Sequence, residues 1–237
     1  MIKARQANWA GTHYFREIPV IKTTSDKFLP TSKNSQVRRY RRVEVVVFHK
    51  TKEAFGGLSN MAAGYPLKVN NVLVPSTEAL YQACRFPHLP KVQQEIISQF
   101  SPMTAKMKSK PHRANSRSDW NQVRSKIMAW CLKVKLAQHF EEFGALLLET
   151  GDRAIVELSN KDAYWGAKLT DNDEWLEGQN VLGRLLMQLR EDLKKEDSSR
   201  WLEIAPLDIA NFKLMGKPIE SVLKAQRKTF IQGSFRV

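Results

Sequence analysis

Pro75-Ser76-Thr77-Glu78-Ala79-Leu80-Tyr81-Gln82-Ala83-Cys84-Arg85-Phe86-Pro87 reads as one short helix with both of its ends written into the sequence. Ser76 is available as the cap of the first turn, alanine and leucine sustain the helix, and Pro87 forbids its continuation. Upstream, residues 67–74 (LKVNNVLV) turn around Asn70-Asn71 and predict a tight hairpin. Before that, Phe55-Gly56-Gly57-Leu58-Ser59-Asn60-Met61 reads as a loop, and Val43 to Phe48 as a β-branched strand. Downstream the spacing turns helical. Helices are expected over residues 91–100, 103–109, 123–140, 143–148 and 181–193, with one short strand at 154–158. The pattern predicts an α+β fold, a predominantly helical single domain with a small β component, over residues 41–195. Residues 1–40 read as a basic N-terminal extension, and 196–237 as a C-terminal extension packing on the domain.

At 237 residues, 42% hydrophobic and 26% charged, the chain is long enough for one substantial core and unlike a disordered or collagen-like sequence. No apolar run approaches the roughly 20 residues that cross a bilayer, and the N-terminus lacks the apolar centre of a signal peptide. A cytoplasmic protein without a membrane partner is expected. Cys84 and Cys131 are far apart, and the five histidines have no ligand spacing, so neither a metal nor a cofactor is expected.

The net charge of +14 points to a polyanion and is unevenly spread. Residues 1–53 hold 12 Lys+Arg against 4 Asp+Glu, and residues 91–135 hold 10 against 2, whereas 141–200 are acidic. A polyanion-binding face would come from the two basic blocks; otherwise they are solvated surface. On the amphipathic helix of residues 123–140, Arg124, Lys126, Lys133 and Lys135 read as the face turned from the core.

Several side chains could carry chemistry. Glu78, Gln82 and Arg85 recur at i, i+4 and i+7 and share a helix face, although an acid in a first turn also complements the helix dipole. Asp162 precedes Tyr164-Trp165-Gly166, an acid beside two rings that could stack a base or sugar, or a turn cap beside core aromatics. Gly178-Gln179-Asn180-Val181-Leu182-Gly183 could offer backbone amides to a phosphate, though its glycine spacing matches no nucleotide fingerprint. Trp120 and Lys106 are a possible stacking ring and a possible phosphate or carbonyl contact.

Taken in order, Phe55-x-x-Leu58-Ser59-Asn60, Pro75-Ser76-Thr77-Glu78-Ala79-x-Tyr81-Gln82-Ala83-x-x-Phe86, Ala105-Lys106, Arg113, Asp119-Trp120, Asp162-x-Tyr164-Trp165-Gly166 and Gly178-x-Asn180-x-Leu182-Gly183-x-x-Leu186-Met187 resemble the NADAR (NAD- and ADP-ribose-associated) family over roughly residues 45–195. The resemblance implies an N-glycosidase that cleaves ribose from nitrogen. Its substrate would be ADP-ribose on guanine in nucleic acid, chiefly DNA, in an antitoxin or phage counter-defence role with an ADP-ribosyltransferase toxin as possible partner. The alternative is a free phosphorylated ribosyl intermediate of riboflavin synthesis. A module that binds nucleic acid or a toxin without catalysis is the third reading.

Such a reaction needs a carboxylate near C1, an activated water and a proton for the leaving nitrogen. Glu78, favoured as an ion by the helix N-terminus, is expected to activate water or stabilise the cation. Asp162 would bind ribose hydroxyls, or supply the proton if desolvation raises its pKa. Lys106 would contact phosphate or trap the open-chain aldehyde as a Schiff base. Trp120 and Trp165 would stack on a base, while Asn180, Gly183 and Arg113 would face phosphates. Phe55, Ser59, Asn60, Gln82 and Tyr164 complete the expected substrate-binding set.

Overall fold

The computed structural model describes residues 37–170, 172–195 and 197–224; residues 1–36 of the expected basic extension, and 225–237, lie outside them. The hairpin pairs β3 (Leu67–Val69) with β4 (Val72–Val74). Asn70 and Asn71 both take positive φ (50° and 62°), a turn whose twist matches that of the flanking strands and which asparagine tolerates. The quoted helix follows as α1 (Thr77–Ala83), its Ser76 hydroxyl accepting from the Ala79 amide at 3.2 Å. All seven of its residues are buried, so α1 is an internal strut rather than a surface helix.

Against it pack α2 (Pro90–Ile97), α3 (Pro102–Ser109) and α4 (Trp120–Gln138), while α5 (Phe140–Glu149) and α6 (Val181–Lys195) pack on α4 and on each other. Pro90 opens α2, since a first-turn proline forfeits no hydrogen bond, and Ser101 caps α3 through the Thr104 amide.

Strands are few and short. β1 (Arg38–Arg41) pairs antiparallel with β7 (Trp175–Gly178), which also pairs with β6 (Lys168–Leu169). β2 (Val46–Phe48) pairs in parallel with β5 (Ile155–Glu157), and a bridge between Leu158 and Ala167 links the end of β5 to the approach to β6. This mixed α+β layout agrees with the expected class. β6 and β7 went unforeseen because Lys168–Leu169 is too short to show a period and Trp175–Gly178 is half polar.

Beyond α6, β8 (Glu203–Ile204), β9 (Lys213–Leu214), β10 (Lys217–Pro218) and β11 (Val222–Leu223) form two small antiparallel ribbons, β8 with β11 and β9 with β10. They lie against α4 and α2: the Trp130 indole donates to the Ala205 carbonyl at 2.9 Å, and the Gln93 amide donates to the Lys213 carbonyl at 3.0 Å. Trp201, Leu214 and Val222 are buried in the same core as α1 and α4.

The basic blocks are not simply a solvated face. Arg39 and Arg41 pair with Glu177 and Glu174 across the β1–β7 ribbon. Arg117 is buried, clamping Asp119 at 2.6 Å and the Ala210 carbonyl at 2.6 Å. Lys135, expected on the outer face of α4, is 0% exposed. Its ammonium donates to the Gly57 and Ser59 carbonyls and lies 4.1 Å and 4.2 Å from the centroids of the Tyr65 and Phe143 rings.

Candidate active site

Glu78 is 5% exposed, in the first turn of α1. Its amide donates to the Asn60 carbonyl at 3.2 Å, and its Oε1 accepts from the Gln82 amide at 2.9 Å. Burial pushes its carboxyl pKa up, against the pull of the Lys106 charge and the Gln82 hydrogen bond. Burial therefore opposes the ionised form that the helix terminus was expected to favour. Two acceptors beside it are buried without a hydrogen-bond partner among the described residues, Gln82 Oε1 and Asn60 Oδ1. Buried acceptors of this kind call for a donor such as a sugar hydroxyl or a water.

A second acid, which the sequence reading did not single out, stands at the end of β5. Burial pushes Glu157 up to about 7, and the negative charges of Glu78 and Asp162 add to that against the pull of Lys106. Glu78 and Glu157 thus share the field of Lys106, a half-buried side chain of α3 that makes no ion pair within 4 Å among the described residues. The available signal was a charged residue closing the apolar strand Ile155-Val156.

Asp162 has a local task. Its Oδ1 accepts from the Tyr164 amide at 2.9 Å and the Trp165 amide at 3.0 Å, which caps the turn carrying both rings, and its own amide donates to Ser159 Oγ.

The aromatic residues form a chain of contacts. Trp120 packs on Tyr81 (centroids 5.1 Å apart), Tyr81 on Trp165 (5.6 Å) and Trp165 on Tyr164 (5.0 Å). Trp120 is buried beneath the Arg85 guanidinium, so its ring already has a protein partner, whereas Tyr164 and Trp165 are half-buried. Arg113 is exposed in the turn after α3 and lies within electrostatic reach of Arg85.

Asn180 and Gly183 do not face a phosphate. Asn180 is fully buried; its Oδ1 accepts from the Glu157 amide at 3.1 Å and its Nδ2 donates to the Ile155 carbonyl at 2.8 Å. The amides of Gln179, Asn180, Val181 and Leu182 donate to the carbonyls of Ala163, Gly166, Tyr164 and Trp165. Those donors are occupied, and they lock the Asp162 turn onto α6 instead of waiting for an anion. A Cβ on Gly183 would sit 2.1 Å from the Ile155 carbonyl oxygen, so this glycine lets α6 lie directly on β5. Ser59 accepts from the Met61 amide within the buried loop, and Phe55 lies on the α5 side, 5.9 Å below Arg153. Neither joins the carboxylate cluster.

No helix among the described residues is long and apolar enough to cross a membrane, and no group of three or more His, Cys, Asp or Glu side chains there could hold a metal ion.

Residues 47–194 match the NADAR domain. The N-glycosidase YbiA of Escherichia coli is 37% identical over 152 residues, covering 64% of this chain and 90% of that protein. A riboflavin biosynthesis protein of Vibrio vulnificus is 31% identical over 169 residues, 70% of this chain but 41% of the relative. The NMR structure of E. coli YbiA is similar to this fold, with a TM-score of 0.53 at 34% identity over 65% of this chain and 90% of that one.

Proposed function

The chain belongs to the NADAR family, and from that premise we propose that it is an N-glycosidase which hydrolyses the C1–N bond of a ribosyl group. The observation that carries this reading is the pair of buried or half-buried acids, Glu78 and Glu157, both pushed upward and both in the field of Lys106. An acid pushed up to about 7 can carry a proton to donate, and a neighbouring carboxylate can take one from water, which is what such a hydrolysis requires.

Glu157 gives its proton to the departing nitrogen as the C1–N electron pair leaves with it. Glu78 takes a proton from water, and the hydroxide oxygen bonds to C1. The proton gained by Glu78 restores the one lost by Glu157 over the cycle. Lys106 pulls Glu78 toward its ionised form against the effect of burial and limits the charge that builds in the site; this favours a standing electrostatic role over a Schiff base. Asp162 positions Tyr164 and Trp165, and the orphaned oxygens of Asn60 and Gln82 accept from ribose hydroxyls or from the water. Glu157 replaces Asp162 as the proton donor in this scheme because Asp162 Oδ1 is held by two backbone amides.

The substrate we propose is ADP-ribose attached to guanine in nucleic acid, DNA foremost, as an ADP-ribosyltransferase toxin would leave it. The net charge of +14 supports it. The second reading, a free phosphorylated intermediate of riboflavin synthesis, is favoured by the name of the Vibrio vulnificus relative. Purified protein is offered DNA ADP-ribosylated on guanine, the same mark on thymine, and the free riboflavin-pathway intermediates, with Glu78→Gln in parallel. Guanine-specific release that Glu78→Gln abolishes is the expected result. Release only from the free intermediates selects the second reading, and no release from any substrate sinks the glycosidase.

A further inference from the structure

Arg85 lies within electrostatic range of the guanidinium groups of both Arg113 and Arg124. None of the three makes an ion pair among the described residues, although nine pairs form elsewhere in the fold. Like charges so placed repel one another, and the fold nevertheless fixes two of them firmly.

Arg85 lies 4.7 Å over the Trp120 ring, and its Nε donates to Ser116 Oγ at 2.8 Å. Arg124, one turn along α4 from Trp120, lies 3.7 Å over the Tyr164 ring, whose hydroxyl is tied to Ser125 Oγ at 2.8 Å. Arg124 Nε is buried and has no hydrogen-bond partner among the described residues. A guanidinium stacked by its face keeps its edge donors free, and two such edges suit the paired oxygens of a phosphate better than any neutral acceptor. Arg85 is lowered by burial and by the neighbouring Arg113 and Arg124 charges, a penalty that a bound anion removes.

The position relates this cluster to the carboxylates. Tyr81, which packs on both Trp120 and Trp165, lies within electrostatic reach of Glu78 as well as of Arg124 and Arg85, so the arginines stand near that acid. The aromatic chain from Trp120 through Tyr81 and Trp165 to Tyr164 closes between the two guanidinium groups.

We propose that Arg85, Arg113 and Arg124 form a phosphate-binding site that grips the 5-phosphoryl group of the substrate's ribose while C1 lies at Glu78 and Glu157. It deepens the glycosidase reading and depends on it for the identity of the ligand, not for the existence of an anion site.

The test uses the full chain carrying Glu78→Gln, titrated by calorimetry with ribose, ribose 5-phosphate and ADP-ribose. Ribose 5-phosphate binds and ribose does not; a further gain with ADP-ribose assigns the phosphate to a diphosphate ligand, and equal affinity assigns it to a simple sugar phosphate. Arg85→Gln and Arg124→Gln each weaken the phosphorylated ligands at least about tenfold, the loss expected for one charged hydrogen-bonding partner. Arg113→Glu, on an exposed side chain that the fold does not need, weakens them as well and serves if either buried variant fails to fold. Equal binding of ribose and ribose 5-phosphate, no binding of either phosphorylated ligand, or folded variants with unchanged affinity overturn the site. Phosphate binding through these arginines without hydrolysis of any ribosyl substrate would keep the site and overturn the glycosidase; hydrolysis with unchanged KM in Arg85→Gln and Arg124→Gln would do the reverse.

Discussion

Replacing Lys135 with methionine exchanges a buried ammonium for an apolar side chain of similar length. Burial lowers Lys135 to about 7, with Glu142 opposing only in part. In the unfolded chain the same group titrates near 10.4. Between those values the unfolded state holds a proton that the folded state has released, so the wild type gains stability as pH rises through that window. Below about pH 7 the lysine is charged in both states, and the full cost of burying the charge remains. At 1.36 kcal/mol per pKa unit the whole gap corresponds to about 5 kcal/mol, of which about 2 kcal/mol falls between pH 7 and pH 9. Urea denaturation of wild type and Lys135→Met at pH 7, 8 and 9 reads it. The wild-type stability, taken relative to the variant, should rise by about 2 kcal/mol over that range. Tyr81 and Cys131, whose protons burial retains, titrate in both proteins and cancel in the difference. A difference that stays flat would refute the reasoning: it would mean that the Gly57 and Ser59 carbonyls and the two rings hold the ammonium charged throughout.

Gly183→Ala should destabilise the fold by about 3 kcal/mol in the same denaturation assay, because the new Cβ meets the Ile155 carbonyl oxygen and the Asn180 amide, neither the free end of a flexible chain. A loss below about 1 kcal/mol would show that α6 can slide on β5. Hydrolysis should fall as pH rises through about 7, where Glu157 gives up the proton it must donate, and Glu157→Gln should lower the rate and flatten that limb. An unaltered limb in the variant would assign the titration to another group. Lys106→Arg should keep most of the activity and Lys106→Met should lose about a hundredfold, since a fixed positive charge is what the site uses. Complete loss in Lys106→Arg, with borohydride trapping of the sugar on the wild-type lysine, would establish the Schiff base instead.

Local chemistry made much of the fold legible. Ser76, Pro87 and the Asn70-Asn71 pair announce their structures because capping and positive-φ turns are decided by the residues themselves. Glu78 was legible as a candidate for the same reason, since it lies on the one helix whose start could be read. The upward push on its carboxyl was not legible, because the sequence supplies the helix terminus and conceals how deeply α1 is buried. Lys135 shows the same limit. Helical spacing assigns it to a polar face, but the carbonyls and rings that receive it come from the loop at residues 57–59, Tyr65 and α5.

Arg85 carries this further. Its i+7 spacing from Glu78 predicts a shared face, yet α1 ends at Ala83 and Arg85 turns onto Trp120, leaving Glu78 with Gln82 alone. Had the helix continued, a second positive charge on the face of Glu78 would have added to the pull of Lys106 toward the ion. The end of α1 at Ala83, before Arg85, therefore does more than close an element. It leaves Lys106 as the positive charge common to Glu78 and Glu157, while Arg85 stacks on Trp120 and is available to an anion. The surplus of basic residues in 91–135 is explained in part by these roles: in the proposed site Arg113 and Arg124 serve an anion, and Arg117 and Lys135 fasten the frame.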